Sequence, residues 1–277
     1  VGEVFWHADA MDHSDSEEEV LAGGVANAGS VVRIGDQVAR PSSRHTTTIH
    51  AFLGALRDAG FDGVQRPLGV DGLGRERLEY VPGEVAVPPY PAWVQSDGAI
   101  ASIARLLRRY HDAAASIGAP SGEWSVEMAD PEGGPIVCHN DICLENVVFR
   151  DGEAVALIDF DFAAPGRPAY DVAQFARMCV PIDDETNARR LGWAPLDLPA
   201  RLRLVVDAYG LEGAQRQDLL GNLDDSMERA GAFVRRRVEA GDRNFIAMWE
   251  DMGGQERYDR RRRWYERHRA RFADALS

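Results

Sequence analysis

The hydrophobic period of this 277-residue chain changes character near residue 95, and that change limits the folds open to it. Before it, short apolar runs alternate between turn signals. VVRIGDQVARP reads as two strands around a Gly35-Asp36 hairpin, and GVQRPLGVD and RERLEYVPGEV read as two more. Between these pairs, TTTIHAFLGALRDAG carries Ile49, Phe52, Leu53 and Leu56 at helical spacing, with N-cap candidates at Thr46 to Thr48 and a C-cap at Gly60. The Pro/Gly-rich VPGEVAVPPYPAW is a connector. Beyond it, Ile100, Ile103, Leu107 and Tyr110 mark a long helix from Ser96-Asp97 to about Gly118. Two apolar runs follow, PIVCH and AVALIDF, with a polar loop and the ENVVF segment between them. Everything past Asp171 reads as helices, closed by an arginine-rich helix from about Gln255. The expected class is α+β, with a small β-rich unit over residues 1–82, a connector over 83–95 and a larger helical unit over 96–277.

Composition narrows the function classes. No apolar run approaches the ~18 residues of a membrane helix, and the N-terminus is acidic where a secretory signal would be basic, so the cytoplasm is the expected compartment. Seven acids and no base occupy the first 19 residues, which read as a solvated acidic leader. The net charge of −14 argues against nonspecific nucleic-acid binding and favours, in principle, a cationic ligand. Cys138, Cys143 and Cys179 are too few and too irregularly spaced for a disulfide framework or a zinc site, so reduced thiols are expected. All 31 basic residues are arginine. A phosphate anchor that is usually a lysine must therefore be an arginine here, or be missing.

The chemistry is concentrated in VCHNDICLENVVF and ALIDFDFAAPGRPAYDVA. His139, Asp141 and Asn146 form H-x-D-x-x-x-x-N, and Asp159 opens an Asp-Phe pair thirteen residues after Asn146 at the end of an apolar run. Phosphoryl transfer needs such a set. One carboxylate accepts the proton of the attacking hydroxyl, while an amide oxygen and a second carboxylate hold Mg²⁺ against the nucleotide phosphates. Asp141 suits the first role, and Asn146 with Asp159 the second. The bland alternatives are a polar loop residue at Asp141 and a turn cap at Asn146. Asp161 faces the same side as Asp159 by two-residue alternation, where it can join the site or merely hydrogen-bond the loop.

These motifs, their order, and the segments GGVANAGSVVRIGDQVARP and LEYVPGEV resemble the aminoglycoside phosphotransferase family, whose members share the two-lobed protein-kinase-like fold. The resemblance implies a small β-rich N-lobe, a helical C-lobe, ATP or GTP as donor, Mg²⁺ as cofactor and a small-molecule hydroxyl as acceptor. It makes His139 a support residue and Asp171 a buried acid bracing the catalytic loop. It places Gly24 in the nucleotide-covering loop, Val38 over the base, and the backbone of Glu79, Tyr80 and Val81 at the base edge. Acceptors of aminoglycoside, peptide or nucleoside type follow, with resistance or self-resistance as the role. No nucleic-acid or membrane partner is expected, and the chain is read as a monomer or homodimer.

Two departures stand out. QVAR occupies the place of the family's VAIK, so Arg40 stands where lysine is expected, and residues 46 to 57, where its glutamate partner should lie, contain no acid. His50 is the nearest polar candidate. Both halves of the pair have changed together, which suggests a rebuilt anchor, although Arg40 could also be a surface strand arginine. In addition, Gly23, Gly24 and Gly29 do not match G-x-G-x-x-G. For the acceptor, Asp183, Asp184, Glu185, Asp224, Asp225 and Glu228 could receive a cation, although most of them read more simply as solvated helix residues. The C-terminal helix, with eight arginines over residues 256 to 271, could pair with those acids or hold an anionic or aromatic acceptor. Rivals to the antibiotic-kinase reading are a catalytically silent immunity protein that sequesters its ligand and a metabolic amino-alcohol or sugar kinase.

Overall fold

In the computed structural model the described residues are 18–21 and 29–277. The acidic leader up to Glu17, and with it Gly23 and Gly24, lie outside them. The molecule is α+β and two-lobed. A five-stranded antiparallel sheet has the order β1-β2-β3-β5-β4, from β1 (Glu19–Val20), β2 (Val32–Ile34), β3 (Gln37–Pro41), β4 (Pro67–Val70) and β5 (Arg75–Glu79). The expected Gly35-Asp36 hairpin joins β2 to β3, with Ile34 opposite Gln37 and Gly35 at a φ of 59° that glycine adopts without strain. Glu19, the last residue assigned to the leader, enters β1 and pairs with Arg33 across the ladder.

Helix α1 (Thr46–Asp58) covers the sheet with Ile49, Phe52, Leu53 and Leu56 buried, as the spacing predicts. Its ends differ from expectation. The N-cap position is His45, whose backbone is already helical and whose side chain makes no cap bond. Thr46 instead turns its hydroxyl back to accept the Ser43 N–H at 2.8 Å, and the C-cap falls on Ala59, one residue before Gly60.

Helix α2 (Asp97–Ile117) is the spine of the helical lobe. Ser96 accepts the Ala99 N–H at 3.1 Å as its N-cap, and Gly118 with φ 71° ends it. Its buried stripe of Ile100, Ile103, Leu107 and Tyr110 belongs to a core that continues from Phe52 and Leu56 of α1 to Val172 and Phe175 further along the chain. Two small two-stranded sheets lie against it. One pairs β6 (Ile136–Cys138) with β9 (Ala164–Gly166), and the other pairs β7 (Val147–Arg150) with β8 (Glu153–Leu157). Strand β9 was not anticipated. Helix α3 (Pro168–Cys179) starts with a proline in its first turn, three residues ahead of the expected Asp171. Then come α4 (Glu185–Arg190), α5 (Leu198–Tyr209), α6 (Gly213–Gln217), α7 (Leu219–Glu239), α8 (Arg243–Asp251) and the arginine-rich α9 (Gly254–Leu276). Cys138, Cys143 and Cys179 are buried free thiols. Among the described residues, no helix is long and apolar enough to cross a membrane.

The segment after β5 holds the lobes together by backbone pairing. Glu84 and Phe149 exchange N–H···O bonds of 2.8 Å in both directions, which attaches it to β7. Close approach there requires a glycine. At Gly83, with φ 156°, a Cβ would sit 2.5 Å from the Phe149 carbonyl oxygen. Gly83→Ala is expected to cost about 1–3 kcal/mol by forcing this contact apart, measured as a lower urea midpoint at unchanged m-value.

Candidate active site

The loop between β6 and β7 hangs from one buried carboxylate. Asp171, in the first turn of α3, accepts the His139 N–H through Oδ2 and the Asn140 N–H through Oδ1, both at 2.8 Å. His111 of α2 adds a third partner, with Nε2 2.9 Å from Oδ2, and its Nδ1 lies 2.7 Å from the Tyr209 hydroxyl. Burial raises the Asp171 pKa, but the hydrogen bonds from His111 and from the His139 N–H outweigh it and hold the carboxyl below its usual value. Cys138 also brings a ligand atom near this pair. Both His111 nitrogens and both Asp171 oxygens are already engaged, so the cluster is a polar brace and not a metal centre.

His139 closes the other side of the loop. Its Nε2 donates to the Ile158 carbonyl at 2.9 Å and its Nδ1 accepts the Asp141 N–H at 3.3 Å, which fixes a neutral imidazole. Burial lowers its pKa, in keeping with that tautomer. Asn140 takes φ 64°, uncommon for a residue with a Cβ, and anchors the turn by donating Nδ2 to Phe162 O at 3.0 Å.

This support sets three oxygen-bearing side chains. Asn146 donates Nδ2 to the Asp141 carbonyl at 2.9 Å and to Asp141 Oδ2 at 3.1 Å, leaving its own Oδ1 unspent. Asp159, beyond β8, also takes φ 64°. Burial, then the charge of Asp159, push the Asp141 carboxyl up to about 7, against the opposing pull of Arg177.

Arg40 joins this group from the sheet. It is buried on β3, so it is not a surface strand arginine. Its Nη1 donates to Asp159 Oδ1 at 2.7 Å and its Nη2 to Asp161 Oδ1 at 2.5 Å, while Nε forms an ion pair with Glu76 Oε1. Glu76 lies directly across the ladder on β5 and is 2% exposed. Its second oxygen is 2.9 Å from His50 Nε2. The acid missing from α1 is therefore supplied by the neighbouring strand, with His50 as its second support. Sequence reasoning missed Glu76. The signal was present, because Glu76 shares the buried face of β5 with Leu78, and a charged residue there demands a partner. Burial also lifts Asp161 to about 6, Arg40 opposing and Asp159 and Glu76 adding to it.

A cleft of about 270 Å³ opens beside these groups, lined by Val38, Tyr80, Val81, Val148, Arg40, Asn146 and Asp159 among others. Glu79 is not part of its lining. The Glu79 N–H donates to Arg66 O at 2.8 Å and its carbonyl accepts Gln65 Nε2 at 2.9 Å, so its backbone is engaged within the sheet. Gly24 lies outside the described residues.

The helical lobe offers few free acids. Asp183 pairs with Arg257 at 2.9 Å, Asp184 with Arg260 at 3.0 Å and Asp224 with Arg269 at 3.0 Å. Glu185 accepts the Trp264 indole N–H at 2.8 Å. Of the six candidates, only Asp225 and Glu228 stay exposed without such a partner among the described residues. The arginines of α9 thus pair with three of the six candidate acids.

Comparison with known proteins agrees with this geometry. A model of the phosphotransferase enzyme family, APH, matches residues 123–205, which contain the whole loop and Asp171 but not His111 or Arg40. The trifolitoxin immunity protein of Rhizobium leguminosarum bv. trifolii is 32% identical over 215 residues, covering 75% of this chain and 80% of that protein. A choline/ethanolamine kinase family protein from Mesorhizobium loti superposes with a TM-score of 0.61 at 17% identity, over 96% of this chain and 94% of its own. A macrolide 2'-phosphotransferase from Brachybacterium faecium gives 0.53 at 14% identity, over 84% and 89%. The fold is that of the kinase-like phosphotransferases.

Asp171→Ala would leave two loop amides and His111 without their acceptor. The expected loss is about 3–5 kcal/mol of stability, read as a large drop in the denaturant midpoint.

Proposed function

The chain belongs to the APH phosphotransferase enzyme family, and from that premise we propose that it moves the γ-phosphoryl of ATP or GTP to a hydroxyl of an antibiotic or related natural product. The observation that carries this reading is the convergence of Arg40, Asn146 and Asp159 on one cleft, with Asp141 hydrogen-bonded to Asn146 and held at about 7. A carboxylate at that pKa divides evenly between its two forms near neutrality, which suits a group that accepts a proton and returns it.

In this mechanism the acceptor hydroxyl donates a hydrogen bond to Asp141, which orients its oxygen in line with the γ-phosphorus. As the new O–P bond forms and the bond to the departing nucleoside diphosphate breaks, the hydroxyl proton passes to the Asp141 carboxylate. Asn146 steadies that carboxylate through its Nδ2. Arg40 holds phosphate oxygens with its planar fork, a role that geometry suits as well as charge. The unspent Asn146 Oδ1 and the Asp159 carboxylate are hard oxygen donors and fit Mg²⁺. The ion would neutralise charge on the nucleotide phosphates. Val38 covers the base, and the backbone near Tyr80 and Val81 receives its edge.

One observation favours a second reading. Arg40 spends both η nitrogens on Asp159 and Asp161, so anchor and metal ligand neutralise each other. A protein that confers immunity by sequestering its ligand could keep that arrangement. Thermal-shift titration with ATP and with GTP, each with and without Mg²⁺, separates the two. Ligand at 100 times its Kd adds roughly 2.7 kcal/mol to stability. A Mg²⁺-dependent shift of several degrees is expected, and no shift with either nucleotide would favour the sequestering protein.

For turnover, Asp141→Ala is expected to abolish phosphorylation while nucleotide binding persists. With the free-enzyme pKa at about 7, kcat/KM should rise with pH through neutrality as the carboxyl loses its proton. Preserved turnover in the variant would remove Asp141 as the base.

A further inference from the structure

The cleft beside Arg40 has two chemically different ends, and the strand ladder orders them. Arg40 stands opposite Glu76, and two residues back along β3, a distance of ~7 Å, Val38 stands opposite Leu78. Val38 and Leu78 both line the cleft, so its walls turn apolar on going away from Arg40. Leu78 also pairs with Pro67 of β4. Two residues before Pro67 the lining gains a neutral polar side chain, Gln65.

Gln65 is 8% exposed, and its Nε2 donates to the Glu79 carbonyl at 2.9 Å. That bond fixes which way the amide faces, because the reverse orientation would set Oε1 against another oxygen. Oε1 therefore lies on the side of the amide away from Glu79. It accepts no hydrogen bond, yet it is not sealed from solvent. Gln65 borders this cleft and not the neighbouring cavity, which Arg57, Glu79 and Arg109 line instead.

The Glu79 carbonyl, expected at the base edge, is thus taken by Gln65, and Gln65 carries an equivalent acceptor one amide further into the cleft. Val81 lines the same cleft, and its N–H makes no hydrogen bond among the described residues. An acceptor at Gln65 and a donor at Val81 match the edge of adenine, where the N6 amino donor adjoins the N1 acceptor. Guanine and hypoxanthine reverse that pattern, with an O6 acceptor beside an N1–H donor. Turning the Gln65 amide to serve O6 would break its bond to Glu79 and oppose two oxygens.

We propose that Gln65 reads the base of the phosphoryl donor and selects adenine, its Oε1 accepting a hydrogen bond from the N6 amino group. The proposal rests on the phosphotransferase reading and deepens it by naming the donor and the residue that chooses it.

Four nucleotides isolate the contact: ATP, purine riboside triphosphate, which lacks the amino group, and ITP and GTP, which carry O6 in its place. Their Kd values are measured by calorimetry in the presence of Mg²⁺ on the full chain, with no acceptor present. ATP is expected to bind about tenfold or more tightly than each of the others, since a polar site rejects an analogue that leaves its acceptor unmet. Gln65→Leu should bring the ratio of ATP to purine riboside triphosphate to within about threefold. Gln65→Met, of similar length and more adaptable, serves if the leucine variant does not fold.

Equal binding of the four nucleotides, or GTP or ITP binding as tightly as ATP, would overturn the proposal. So would an ATP lead that survives both variants, or a variant that weakens all four nucleotides by the same factor, because Gln65 would then only brace Glu79. These results leave the phosphotransferase reading standing. Failure of every nucleotide to bind would remove that reading and this proposal with it, so the two failures are told apart in one experiment.

Discussion

A single buried guanidinium joins the two lobes chemically. Arg40 leaves the sheet and meets Glu76 from its own sheet and Asp159 and Asp161 from the other lobe. Burying an arginine is tolerable only when its charge and its N–H groups are met with good geometry, and here each edge of the fork has a carboxylate. The balance is uneven, however, since three acids surround one base. Burial makes Asp161 hold its proton more tightly, and the charges of Asp159 and Glu76 add to that. A site with surplus carboxylate charge, an unspent amide oxygen at Asn146 and an adjoining cleft is suited to a divalent cation with its phosphates. Arg40 and such an ion would then divide the acids between them, which they cannot do while the fork occupies both aspartates.

The strained positions sit on either side of this centre. Asn140 and Asp159 both adopt φ 64°, a conformation that persists only where its surroundings over-determine it. The surroundings here are the two loop amides on Asp171, the His139 contact to Ile158 and the Asn140 contact to Phe162. Each bond ties the loop to an element already fixed by the core. Asp141 therefore inherits its position from α2 and α3, and its raised pKa follows from that placement and not from any local sequence preference.

What could be read from sequence divides along the same line. The Gly35-Asp36 hairpin, the buried stripe of α1, the Ser96 cap and Gly118 stop of α2, and the His139-Asp141-Asn146-Asp159 spacing were legible because each is written in neighbouring residues. Glu76 was not. Its partner Arg40 is 36 residues earlier, and only strand register places them opposite each other. For Asp183, Asp184 and Asp224 pairing with the C-terminal helix was one of two open readings, and only the fold shows which arginine of α9 meets which acid. Strand β9 and the start of α3 at Pro168 were overlooked, although a proline in a first helical turn is a local signal. Periodicity reveals which face is buried, but not which residue waits on the other side.

Placing the acid on β5 changes how Arg40 is held. When a phosphate-holding residue pairs with an acid on a separate helix, its position depends on where that helix packs. Here Arg40 and Glu76 are fixed by backbone hydrogen bonds between adjacent strands, so their separation follows from ladder geometry and hardly depends on α1. The helix reaches this pair through His50, which contacts Glu76. A shift of α1 would cost Glu76 one hydrogen bond and leave its ion pair with Arg40 in place. The contacts of the fork that cross between the lobes are those with Asp159 and Asp161.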